Sequence, residues 1–136
     1  MTSQPLAILV IDDSPSDAHL LEMALHQVPK LKYTFVQEKT LASGIERTKK
    51  DKFDVLMLDL TLPDSHGLET VIAAHKSCPN LPIVICTGIE DEEFGIEAVR
   101  NGAQDYVVKG EADGWTLLRT VRYAIERKRA EKLDER

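Results

Sequence analysis

The sequence predicts an α/β protein, with five parallel strands in one sheet, each followed by a helix, and helices on both faces. Three observations carry this. Short apolar runs rich in Val, Ile and Leu alternate five times with stretches of helical spacing. Three of the runs are apolar throughout, as central strands covered on both faces must be. The connections between runs are too long for hairpins and long enough for crossovers, which return each strand parallel to the last.

The strand candidates are Leu6–Ile11, Tyr33–Gln37, Val55–Leu58, Ile83–Cys86 and Tyr106–Val108. The second alternates, with Tyr33 and Phe35 against Thr34 and Gln37, which suits an edge strand. The first helix places Ala18, Leu21, Leu25 and Val28 on one stripe, and Ser14-Pro15 supplies a cap followed by a proline at the first helical position. Pro29 ends it. The second helix carries Leu41, Ile45 and Thr48 behind a candidate cap, Thr40. The third carries Leu68, Val71, Ile72 and His75, and Asn80 and Pro82 separate it from the fourth strand. The fourth contains Phe94, Ala98 and Val99, with Gly95 weakening it by about 1 kcal/mol relative to alanine, and Asn101-Gly102 stops it. The fifth carries Leu117, Leu118, Val121, Ala124 and Ile125.

Composition bounds the function. The chain has 136 residues, enough for one ordinary domain with its own core. Apolar residues make up 43% and charged residues 29%, the mix of a globular protein. A net charge of −6 gives no general attraction to nucleic acid or anionic lipid, so neither is an expected partner. No apolar run is long enough to span a membrane. Met1-Thr2-Ser3-Gln4 brings no basic region before the first apolar run, so no signal peptide is expected. Cys78 and Cys86 form no CxxC and read as reduced thiols of a cytoplasmic protein. His19, His26, His66 and His75 share no ligand spacing, and Trp115 reads as a core or rim residue with use as a fluorescent reporter. From Glu126 to Arg136, nine of eleven residues are charged, with opposite charges three apart at Glu126/Arg129, Lys128/Glu131 and Lys132/Glu135. Residues 128–136 thus read as a charged extension of the last helix beyond a domain of residues 1–127. A connector into a partner or a downstream domain is the alternative.

In an open parallel sheet, ligands bind beyond the carboxyl ends of the strands. The first strand ends in Asp12-Asp13, the third in Asp59, the fourth in Thr87-Gly88 and the fifth in Lys109-Gly110. Singly, these are a helix cap, a strand-end threonine and a surface lysine. Together they crowd carboxylates at one rim, which costs stability unless a cation or Lys109 neutralises them. Hard oxygen ligands suit Mg²⁺. Mg²⁺ and Lys109 would offset phosphoryl charge, the Thr87 hydroxyl would donate to a phosphoryl oxygen, and an aspartate would serve as nucleophile. Asp59, ending the central strand, is the best candidate.

These residues resemble the receiver domains of bacterial two-component response regulators over about residues 5–127. The resemblance rests on four features. They are Asp12-Asp13, the D-x-x-[LM]-P-x-x-x-G segment from Asp59 through Pro63 to Gly67, Thr87-Gly88, and Gly102-Ala103-Gln104-Asp105-Tyr106-Val107-Val108-Lys109. It implies a flavodoxin-like sandwich with strand order 2-1-3-4-5. It implies Asp59 as phosphoacceptor, phosphorylated by a histidine kinase or a phosphotransfer protein. It implies Mg²⁺ held directly by Asp13, Asp59 and the backbone carbonyl of Thr61, with Asp12 acting mostly through water. Lys109 would hold a phosphoryl oxygen. Thr87 and Tyr106 would move together and alter the surface of helix four, strand five and helix five, for a partner, a downstream domain or a second copy. Such a domain signals and catalyses only its own phosphorylation and dephosphorylation. Two residues depart from the pattern. Gly110 stands where the family usually has proline, and Ile89 is apolar where many relatives are polar. With Thr61, Ile89 is expected to line the path of the hydrolytic water and to lengthen the phosphoryl lifetime.

Other functions fit less well. A phosphohydrolase of the haloacid dehalogenase type would carry a second aspartate where Thr61 stands. A flavodoxin-like cofactor binder would want a Ser/Thr/Gly-rich loop in place of Asp12-Asp13. A degenerate receiver would lack acceptor residues that are present.

Overall fold

The computed structural model describes residues 4–88 and 92–134. Its elements are β1 (Leu6–Ile11), α1 (Pro15–His26), β2 (Tyr33–Glu38), α2 (Leu41–Lys50), β3 (Val55–Leu58), β4 (Thr61–Leu62), β5 (Ser65–His66), α3 (Leu68–Ser77), β6 (Ile83–Thr87), α4 (Glu92–Arg100), β7 (Asp105–Val108) and α5 (Gly114–Asp134). Five strands form one sheet in the order β2-β1-β3-β6-β7, all pairs parallel. With the two-residue strands β4 and β5 set aside, this is the expected 2-1-3-4-5 order. β1, β3 and β6 lie inside the sheet and are nearly or wholly buried, while the alternating β2 lies at the edge.

Successive side chains of a strand point to opposite faces, so the sheet divides its own core. Ile8, Val10, Val55 and Met57 pack on one side with Leu21 and Leu25 of α1 and Leu117 and Val121 of α5. Leu9, Ile11, Leu56 and Leu58 pack on the other with Leu41 of α2, Val71 of α3 and Ala98 of α4. Each fully buried side chain of this size contributes about 1.5–3 kcal/mol. The two layers pin the sheet, and with it the positions of the strand ends.

Local signals fix the helix starts. Ser14 Oγ accepts from Asp17 N at 3.2 Å, with Pro15 at the first helical position. Thr40 and Ser43 close a reciprocal capping box at α2. α5 is continuous to Asp134, and its last turns carry the expected pairs Arg129–Glu126 at 2.9 Å and Lys128–Glu131 at 3.5 Å. Glu135, of the third expected pair, lies outside the described residues.

The structure corrects three details. Residues Thr61–His66 form a small antiparallel hairpin, β4–β5, that no periodicity announces because each strand has two residues. α4 buries Gly95 and Ala98 and leaves Phe94 and Val99 exposed, because the Tyr106 ring lies where Gly95 has no side chain. α1 ends at His26, ahead of Pro29. Trp115 takes the rim position, one of the two places expected of it.

Candidate functional site

The three carboxyl-edge aspartates predicted from the strand ends come together. Asp12, Asp13 and Asp59 each offer a carboxylate oxygen within 4.8 Å of the others. Parallel register explains it: Ile11 pairs with Leu58, so the residues following each strand emerge side by side. Asp59 N donates to the Ile11 carbonyl at 2.9 Å, which prolongs that register into the site. Asp12 is buried, Asp59 half-buried and Asp13 exposed.

Lys109 reaches across from the end of β7. Its amide donates to the Thr87 carbonyl at 2.7 Å, which continues the β6–β7 pairing to the rim. Its Nζ lies 2.9 Å from Asp12 Oδ2, 2.9 Å from Asp17 Oδ2 and 3.0 Å from Asp59 Oδ2. Asp12 Oδ2 is buried, and Lys109 is its ion-pair partner. Asp12 Oδ1 accepts from Ser14 N at 2.9 Å, and Asp59 Oδ1 from Thr61 N at 3.0 Å. Burial raises the pKa of Asp12, against the opposing pull of Lys109 and the Ser14 amide. Burial also opposes the Lys109 charge, but its carboxylate partners outweigh that and hold its pKa well above the ordinary lysine value. Cys86, fully buried behind the site, is pushed up to about 12 by desolvation, so its thiol is inert at neutral pH.

Asp17 escaped the strand-end reasoning because it stands on α1. The available signal was its position in the first helical turn, directly over the same rim. With it the rim holds four carboxylates against one ammonium. That excess of carboxylates fits a divalent cation bound through oxygen. Asp64 was also missed as a structural element. Its carboxylate accepts from Leu41 N at 2.9 Å and Ala42 N at 3.0 Å, and so ties the hairpin turn to the N-terminus of α2.

Thr87 and Asp59 face one cavity of about 260 Å³, with Thr61, His66 and Phe94 at its walls. The Thr87 hydroxyl donates to the Val107 carbonyl at 3.4 Å, a long bond that a better acceptor would displace. Tyr106 is half-buried, and a Cβ built on Gly95 would lie 2.7 Å from its Cγ, so ring and helix are in close contact. Gly110 has φ +82 and no peptide bond among the described residues is cis, so the loop after Lys109 takes a left-handed glycine conformation. Ile89 lies outside the described residues. Among the described residues no helix is long and apolar enough to cross a membrane.

Known proteins share this chain's sequence pattern and its fold. The model of the response regulator receiver domain matches residues 8–122. The chain is 29% identical over 103 residues to the chemotaxis protein CheY of Thermotoga maritima, covering 75% of this chain and 83% of that one. It is 36% identical over 103 residues to the transcriptional regulatory protein KdpE of Staphylococcus aureus, covering 75% of this chain but only 42% of that one. The chain therefore spans under half of such a transcriptional regulator. A putative response regulator from Chloroflexus aurantiacus has the same fold, with a TM-score of 0.77, 22% identity and coverage of 90% and 99%. So does the beryllofluoride-activated NtrC4 receiver domain dimer, with a TM-score of 0.73, 24% identity and coverage of 90% and 98%.

Proposed function

The chain belongs to the response regulator receiver family, and from that premise we propose that Asp59 accepts a phosphoryl group from a phosphohistidine of a kinase or phosphotransfer protein. The observation that carries the reading is the convergence of Asp12, Asp17 and Asp59 on the single ammonium of Lys109 at the end of β3.

An Asp59 carboxylate oxygen attacks phosphorus as the N–P bond breaks, which forms an acyl phosphate. The departing imidazole recovers its proton from solvent. The Thr61 amide holds Asp59 Oδ1, so the carboxylate plane is fixed before attack. Lys109, already 3.0 Å from Asp59 Oδ2, passes from a carboxylate to a phosphoryl oxygen with little movement. Asp13, Asp59 and the Thr61 carbonyl, with Asp12 through water, would hold Mg²⁺, which would neutralise the charge that the phosphoryl oxygens bring to an already acidic rim. Thr87 then exchanges its long bond to Val107 for a phosphoryl oxygen, and Tyr106 follows. The changed surface of α4, β7 and α5 engages a partner, a downstream domain or a second copy. The receiver is taken as residues 1–127, and the charged residues 128–136 that follow carry the signal outward.

Intact-protein mass after incubation with Mg²⁺ and acetyl phosphate tests this. The native chain is expected to gain one phosphoryl group and Asp59→Ala none. Equal gain in both would place the acceptor elsewhere. No gain in the native chain, with fold and Mg²⁺ binding intact, would mean a receiver that takes phosphate only from its own kinase or signals without it.

A further inference from the structure

At the opposite end of the sheet from Asp59, a groove of about 530 Å³ runs between the α1–β2 turn and α5. Its α5 wall is one stripe, Trp115, Leu118, Arg122, Ile125 and Arg129. Fourteen helical steps of 1.5 Å make it about 21 Å long. The facing wall carries Lys30, Leu31 and Lys32.

Charge distinguishes this groove from the rest of the chain, whose net charge is −6. Arg129 pairs with Glu126 at 2.9 Å, and the groove's carboxylate, Asp54, accepts from the amide of Ala7 at 2.7 Å, so the lining keeps an excess of positive charge. Among the described residues Lys30, Lys32 and Arg122 have no ion-pair partner, and all three are exposed. Trp115 beside them is 62% exposed. The second observation is backbone geometry. Lys30 is the only described non-glycine residue with positive φ, at 63°. Glycine takes that conformation without strain. A lysine there keeps a cation at the groove at the expense of local comfort, a pattern found where a side chain has work to do.

We propose that this groove is a docking site for an acidic segment of a partner protein. Lys30, Lys32 and Arg122 complement its carboxylates, and the Trp115, Leu31 and Ile125 surfaces take its aliphatic parts. The length of the stripe selects an extended polymer: about six residues of extended chain span it, whereas a small anion would fill one end. The site is separate from Asp59, so docking and phosphorylation are independently measurable.

Trp115 is the sole tryptophan, so its emission reports this groove alone. The full chain, titrated with poly-L-glutamate at low ionic strength, is expected to show a saturable change in Trp115 emission that added salt weakens. Lys30→Gly, Lys32→Gln and Arg122→Gln are each expected to weaken binding roughly two- to fivefold, and the triple variant more than tenfold. Lys30→Gly should also keep or raise the melting temperature, which separates lost binding from lost fold. All three should take up phosphate from acetyl phosphate like the native chain. Absence of a saturable response, or a response unchanged in the triple variant, overturns the proposal. Tighter binding of oligothymidylate than of poly-L-glutamate also overturns it, in favour of a nucleic acid.

Discussion

Lys109 is the residue on which the site's charge balance turns. It is 17% exposed at the side chain and faces Asp12, which is 1% exposed. Removing one partner of a buried pair leaves the other charge desolvated, at a cost of about 3–5 kcal/mol. Mutual repulsion among the remaining carboxylates adds to that loss. Lys109→Ala is therefore expected to lower unfolding free energy by a few kcal/mol in urea titrations without Mg²⁺. Added Mg²⁺ should restore part of it. Asp64 makes the opposite kind of contribution. Two amides of α2 hold its pKa below the usual 3.8. A depressed folded-state pKa stabilises above the unfolded value and is lost as pH falls through the folded one. Asp64→Asn should thus lower the melting temperature at neutral pH, and its curve should converge with that of the native chain on acidification below the usual carboxylate range.

At the scale of elements, α4 packs closely on β7, with Gly95 against the Tyr106 ring. Gly95→Ala gains about 1 kcal/mol of helix propensity. The same change drives a methyl group to 2.7 Å from Tyr106 Cγ. Overpacking of this kind costs about 1–3 kcal/mol, so the net effect is expected to be destabilising and to displace the ring. Denaturant titration and the Tyr106 proton shifts would check both. A neutral result with unmoved Tyr106 shifts would mean that α4 itself yields. The β4–β5 hairpin has a related part. It is too short to be stable alone, and Asp64 fastens it to α2. This holds Thr61, whose amide fixes Asp59.

For the molecule as a whole, the proposed Mg²⁺ binding would be linked to folding. A ligand that binds only the folded state stabilises it by RT ln(1 + [L]/Kd), about 1.4 kcal/mol at ten times Kd. Mg²⁺ is therefore expected to raise the melting temperature of the native chain and much less that of Asp13→Asn. Asp13 is exposed, so its replacement leaves the core intact. An equal Mg²⁺ effect in both proteins would remove Asp13 from the ligand set.

The sequence by itself determined the strands, their parallel sense, most helix stripes and the carboxyl-edge residues. Strand periodicity and capping are local, and a parallel sheet forces every strand's end onto one rim. Asp12, Asp13, Asp59, Thr87 and Lys109 were legible for that reason. Tertiary structure alone decided which groups from separate elements share a partner. Asp17 meets Lys109 across 92 positions, and Asp64 meets Leu41 across 23. It also decided that Phe94 faces outward, because the space under α4 belongs to Tyr106. The groove at Trp115 was illegible for the same reason. Lys30, Lys32 and Arg122 are ordinary charges in the sequence. Only the packing of α5 beside the α1–β2 turn sets them in one groove, where Asp54 is held by the Ala7 amide and forms no ion pair with them.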